Sequence, residues 1–170
     1  MINKNDLLKE LDSKDIEYNK YEHDALYTVE DSETKRGDIV GAHTKNLFLK
    51  NKKGFFCLLT CEENSLVNLK QFSKSIEAGN LSFANEEYLL KYMAITPGSV
   101  SPYGLLNDHD DKVVFYLEEG LYNSEKINFH PLINTSTITT TTKDFINFMI
   151  EKKKKINIFS LEEYKVIKEI

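Results

Sequence analysis

Leu47-Phe48-Leu49-Lys50-Asn51-Lys52-Lys53-Gly54-Phe55-Phe56-Cys57-Leu58-Leu59-Thr60 is the stretch on which the fold turns. Two apolar runs flank Asn51-Lys52-Lys53-Gly54, and that pattern predicts a β-hairpin. Just upstream, Gly41-Ala42-His43-Thr44-Lys45-Asn46 sets a lysine and an asparagine at the mouth of the first strand. Cys57 and Cys61 share one side of the second strand. Four residues of strand span about 13 Å, too far for a disulfide, so buried free thiols are expected.

Working outward, Asn5 or Asp6 can cap a first helix with Leu7, Leu8 and Leu11 on one stripe. Glu17 to His23 reads as a strand. Thr28-Val29-Glu30-Asp31 resembles a capping box for a short helix that stops at Gly37. Leu66, Leu69, Phe72 and Ile76 recur at helical spacing, which predicts an amphipathic helix over 65–77. Asn85-Glu86-Glu87 opens another, with Tyr88, Leu89 and Met93 inward, ending before Pro97. Asn107 to Asp111 is a polar turn. Val113 to Leu117, Lys126 to Phe129 and the Thr-rich Ser136 to Thr140 read as strands. Thr141 with Asp144 caps a helix bearing Phe145, Phe148 and Met149, and Ser160 with Glu163 is a second candidate capping box, for a last helix. No regular βαβ alternation is present. The expected fold is therefore mixed α/β, a partly antiparallel sheet or barrel flanked by helices.

A chain of 170 residues is expected to be one domain, 1–170, burying roughly 70% of its unfolded surface without a disulfide or metal staple. The polar N-terminus lacks a signal-peptide core, and no apolar run reaches the roughly 20 residues of a membrane span. These features place the chain in the cytosol. A net charge of −5 argues against sequence-independent coating of nucleic acid. A local contact with the tip of a nucleic acid stays open.

All three prolines fall in Pro97-Gly98-Ser99-Val100-Ser101-Pro102 and Phe129-His130-Pro131-Leu132. Proline fixes φ and glycine frees it, so the first segment is a loop of defined shape that can aim backbone N–H groups at an acceptor. With Gly41 to Leu49, these segments point to recognition of a small ester or carbonyl substrate.

The same residues carry a family likeness. Tyr27 to Glu30, Arg36-Gly37-Asp38, Gly41 to Leu49, Leu81 to Ala84, Thr96 to Asn107 and Asn128 to Thr137 stand in the order seen in YbaK/ProX-type aminoacyl-tRNA deacylases. The chain resembles that family, and within it the freestanding prolyl-tRNA editing proteins of the ProXp-ala/PrdX branch. The resemblance implies a bent mixed sheet or partly closed barrel surrounded by helices, a cytosolic location and no metal or other cofactor. It implies hydrolysis of mischarged aminoacyl-tRNA, with Ala-tRNA(Pro) as the substrate. The implied partner is the acceptor end of tRNA(Pro), with prolyl-tRNA synthetase a further candidate; neither membrane nor DNA is expected. Two departures stand out. Relatives often carry prolines after the early histidine, whereas His23 precedes Asp24-Ala25, and the tail from Lys152 is longer than the motifs require.

Ester hydrolysis builds negative charge on the carbonyl oxygen, and donors placed in advance contribute ~3 kcal/mol each. The backbone of Gly98 to Ser101 suits that task, with Ser99, Val100, Ser101 and Pro102 counted among the substrate-binding residues. In the family-like reading Lys45 anchors the terminal phosphate or polarises the ester. Asn46 can orient substrate or water, and His130 can bond the amino acid or position the water. No nucleophile elbow is present, so water attack is expected, assisted by the neighbouring ribose hydroxyl in the family-derived reading. Tyr27, Thr28 and Val100 are candidate walls that admit a methyl and reject a proline ring.

Plainer readings compete. Outside the motif Lys45 is an ordinary exposed lysine, Asn46 a strand-turn cap and His130 a structural histidine before proline. His43 binds phosphate or simply belongs to its loop. His23 and His109 read as surface or turn residues. Cys57 and Cys61 lack zinc-ligand spacing. Lys152 to Lys155 is a solvated helix end, or else touches the tRNA acceptor stem. Substrates charged with Cys, Ser or Thr, or a non-catalytic module sensing an aminoacyl group, remain alternatives.

Overall fold

A computed structural model describes residues 1–35 and 37–170, with the backbone alone at Ser32 and Lys35. Arg36, part of the family-like pattern, lies outside the described residues. The elements run α1 (Lys4–Ser13), β1 (Asn19–Glu22), α2 (Val29–Lys35), β2 (Thr44–Lys50), β3 (Phe56–Glu62), α3 (Leu69–Ser75), β4 (Ser82–Phe83) and α4 (Glu86–Met93). A 3₁₀ turn (Pro102–Asn107) leads to β5 (Val113–Glu118), α5 (Glu119–Tyr122), β6 (Lys126–Phe129), β7 (Ser136–Thr141), α6 (Thr142–Glu151), β8 (Asn157–Ser160) and β9 (Lys165–Glu169).

Two sheets result. The larger is mixed, in the order β4-β2-β3-β5-β8-β9; the smaller is antiparallel, β1-β7-β6. A parallel bridge between Ala42 and Ile127 ties them together, and neither closes into a barrel. The predicted hairpin forms: β2 and β3 pair from Thr44↔Glu62 to Lys50↔Phe56. Its turn is held by the Asn51 side chain, whose Oδ1 accepts from the N–H groups of Lys53 and Phe55, both at 2.9 Å. β3 is central, with β2 on one side and β5 parallel on the other. All six residues from Phe56 to Cys61 are buried, as expected for a strand covered on both faces.

The main core lies on one face of the large sheet, where Phe48, Phe56, Leu58 and Phe115 meet residues of α1, α4, α6 and the small sheet. A smaller core on the other face packs Leu49, Cys57, Leu59, Tyr116 and Phe159 around Phe72 of α3. Truncating the fully buried Phe72 to alanine costs about 3–5 kcal/mol.

Three expectations change. The first cap is Asn3, which forms a reciprocal capping box with Asp6, rather than Asn5 or Asp6. The helix predicted over 65–77 shrinks to α3, because the Asn68 side chain accepts from Gln71 N–H and starts it there. Leu66, expected inward, is 93% exposed. The predicted last helix is instead the β8–β9 hairpin. Its capping bond does form, Glu163 N–H to Ser160 Oγ at 3.0 Å, but it closes a turn. Ile158 and Phe159 are fully buried and extend the sheet beside β5. The lysine run links α6 to β8. Lys152 pairs with Glu10, Lys154 with Asp111 and Lys155 with Glu169. Among the described residues no helix is long and apolar enough to cross a membrane.

Candidate functional site

The segment leading into β2 is stitched to β6. Ala42 N–H donates to Lys126 O (2.9 Å), Asn128 N–H donates to Ala42 O (3.0 Å), and Thr44 Oγ1 donates to Asn128 O (2.8 Å). Gly41 sits there at φ 102°, and a Cβ would lie 3.1 Å from both the Asn128 amide and Lys126 Cβ. The Pro97–Pro102 loop closes on the chain before α2. Gly98 has φ 87°, and a Cβ there would stand 2.9 Å from the Tyr27 ring and 3.2 Å from Leu26 O. Glycine is thus required at both contacts by backbone conformation and by space.

A cavity of about 200 Å³ opens where these segments meet, lined by Tyr27, Thr28, Lys45, Asn46, Gly98, Val100 and His130, together with Leu26, Val29 and Thr44. A recess of about 30 Å³ adjoins it and shares Leu26, Thr44, Asn46 and His130; its other walls include His43, Glu63, Asn128 and Thr137. Ser99, Ser101 and Pro102 lie outside both linings and are buried. Ser99 N–H closes the turn onto Thr96 O (3.1 Å), and Ser101 Oγ accepts from Tyr103 N–H (3.2 Å). The predicted contact loop therefore narrows to Gly98 and Val100. His43, weighed as a phosphate ligand, has Nε2 2.8 Å from Ile39 O. The exposed His109 stands apart from the cavity.

Lys45 and Asn46 emerge on opposite faces of β2, since side chains alternate along a strand. Asn46 pairs across the hairpin with Thr60, whose hydroxyl donates to Asn46 Oδ1 at 2.6 Å. That bond fixes the amide and leaves its NH₂ group to donate. Lys45 stands opposite Cys61, and its ammonium donates to Ser65 O at 2.5 Å. An ammonium has three N–H groups, so two remain for an anionic or carbonyl oxygen.

His130 Nδ1 lies 2.8 Å from Ser136 O. A carbonyl only accepts, so Nδ1 carries the proton and Nε2 of the neutral ring is an acceptor. Burial pushes the His130 pKa below its ordinary 6.5, against the opposing bond to Ser136. The neutral form is therefore favoured. Burial also pushes the thiols of Cys57 and Cys61 up to about 12.

Sequence reasoning missed several groups here. His23, read as a surface or turn residue, packs its ring edge-on to His130 with centroids 6.1 Å apart. Its Nδ1 donates to Asp24 O (2.8 Å), and in the neutral form its Nε2 accepts from Thr137 Oγ1 (2.7 Å). Asn128 is buried, accepts from Thr139 Oγ1 and donates to Val40 O (3.0 Å) and Ala42 O (3.2 Å). A lone amide inside the apolar strand Lys126-Ile127-Asn128-Phe129 was the available signal.

Comparison with known proteins agrees with this architecture. Residues 23–148 match the model of the aminoacyl-tRNA editing domain. The prolyl-tRNA editing protein ProX of Acetoanaerobium sticklandii is 34% identical over 139 residues, covering 81% of this chain and 85% of that protein. The prolyl-tRNA synthetase associated domain-containing protein 1 of Xenopus laevis is 36% identical over 152 residues, covering 85% and 88%. A solved structure provisionally assigned as a trans-editing enzyme for prolyl-tRNA synthetase superposes with a TM-score of 0.65 at 15% identity, over 93% of this chain and 97% of that one, and shares its fold. The chain belongs to the aminoacyl-tRNA editing domain family, whose members are deacylases.

Proposed function

We propose that this protein is a trans-editing hydrolase that deacylates mischarged aminoacyl-tRNA, with Ala-tRNA(Pro) as its substrate. The observation that carries this reading is the single cavity bordered by Lys45, Asn46, Gly98, Val100 and His130, groups far apart in the chain. The names of the relatives, prolyl-tRNA editing and prolyl-tRNA synthetase associated proteins, support proline tRNA as the carrier.

In this reading the aminoacyl ester enters the larger cavity. The free N–H groups of Lys45 bind the terminal phosphate or the ester oxygen. The N–H groups of Gly98 and Val100, the two loop residues that line the cavity, are the donors for that oxygen. Negative charge developing there is stabilised by donors that need no rearrangement. The adjoining recess has the volume of one water molecule, about 30 Å³. Water held between the Asn46 amide and His130 Nε2 attacks the carbonyl carbon, and the ester C–O bond breaks. The 3′-terminal ribose leaves as the alcohol and alanine as the acid. The neighbouring ribose hydroxyl assists proton transfer. Leu26, Tyr27, Thr28 and Val100 line the cavity, and in this reading they are the walls that admit a methyl side chain and reject a proline ring.

A panel of charged tRNAs tests the assignment. Release of alanine from Ala-tRNA(Pro) with Pro-tRNA(Pro) left intact is the expected result. Faster release from Cys-, Ser- or Thr-charged tRNA moves the substrate within the class. Tight binding of charged tRNA without release makes the protein a sensing module and overturns the enzymatic reading.

A further inference from the structure

Glu118, half-buried at the end of β5, reaches the turn that follows β3. Its Oε2 accepts from Glu62 N–H at 2.6 Å. Ser65 Oγ lies 3.0 and 3.2 Å from the two carboxylate oxygens and donates to them. Ser65 N–H closes the turn onto Glu62 O at 3.0 Å. The carbonyl of that same Ser65 receives the Lys45 ammonium at 2.5 Å.

The turn is also held by Glu63 N–H on His43 O (2.9 Å) and by Asn64 N–H on Glu62 Oε2 (3.0 Å), but neither bond reaches Ser65, whose side chain Glu118 holds. Asn64 and Leu66 are exposed, and the next helical cap comes only at Asn68. Two donors converge on Glu118, which as a carboxylate accepts both. An alanine there leaves both donors without that acceptor.

We propose that Glu118 is a positioning residue for Lys45. It fixes the Glu62–Ser65 turn so that the Ser65 carbonyl holds the ammonium at the cavity edge, with two N–H groups free for substrate. Without it the lysine regains rotamer freedom that must be lost again when substrate binds. The kinetic half of the test rests on the proposed deacylase reading; the structural half does not.

Two variants are used, Glu118→Ala and Ser65→Ala; the second deletes only a half-exposed hydroxyl and keeps the carbonyl. ¹³C relaxation of the lysine ε-methylenes is read first, with Lys45→Arg assigning the Lys45 signal. In the parent, Lys45 is more ordered than the exposed Lys52 and Lys53; in both variants it approaches their mobility. Unchanged order in the folded variants overturns the proposal. Deacylation of Ala-tRNA(Pro) is read second. Glu118→Ala lowers kcat/KM about tenfold, through whichever of kcat or KM moves in Lys45→Ala, and costs nothing further in the Lys45→Ala background. Losses that add in full in the double variant make Glu118 merely structural and also overturn it. A parent that releases no amino acid from any charged tRNA rejects the hydrolase, while the relaxation result still decides the role of Glu118.

Discussion

The two faces of β2 hold their polar groups in different ways. On one face Asn46 is fixed by Thr60, beside bonds that join Thr44, Asn128 and Thr139 and a second pair between His23 and Thr137. On the other face Lys45 stands opposite the buried Cys61, and its tip is held by a turn carbonyl. One face is a short, rigid amide and imidazole scaffold suited to placing water. The other carries a charge on a longer side chain, whose tip the Ser65 carbonyl holds at the cavity edge. The difference teaches that the strand sends sequence neighbours to opposite faces, so that in the proposed mechanism they divide the work.

The strongest way to break this comparison is Lys45→Ala, which lowers kcat/KM about 10²–10³-fold if the cation meets the ester or its phosphate. Single-turnover rates decide it. Gly98→Ala comes next. A Cβ 2.9 Å from the Tyr27 ring at φ 87° costs about 1–3 kcal/mol of stability, read from denaturant midpoints. Thr60→Val sharpens the contrast on the rigid face. It removes the donor to Asn46 Oδ1 while keeping shape, so kcat/KM falls about tenfold.

The His130 prediction concerns pH. A histidine with a lowered pKa binds fewer protons folded than unfolded, so its contribution to stability is lost as pH falls through its ordinary value of 6.5. Tm should fall from about pH 8 to about pH 5, more steeply than in His130→Gln, and the acid limb of activity should lie below 6.5. A limb above that value contradicts a neutral, buried imidazole. The smallest effect is on the thiols. With both pushed up to about 12, neither reacts with iodoacetamide at about pH 8 in the native state, and both do so once unfolded.

Much of this was legible in the sequence where local and tertiary demands agree. The Asn51–Gly54 hairpin, the Asn85 cap and the Thr141 cap all form as read. Ser160 and Glu163 show the limit. They make the same side-chain bond as Thr141 and Asp144, yet α6 follows one pair and a hairpin follows the other. A capping bond is local, whereas the choice between helix and strand here is made by the edge of β5, which β8 must pair. The site was legible as three segments but not as a division between faces. Nor was Glu118 legible, because its partners lie more than fifty residues away.

The most direct measurement is single-turnover hydrolysis of Ala-tRNA(Pro) by the parent, Lys45→Ala and Asn46→Ala, each shown to be folded. The account predicts rapid alanine release by the parent and a loss of at least about tenfold in both variants, one from each face of β2. Parent-like rates in both would contradict it.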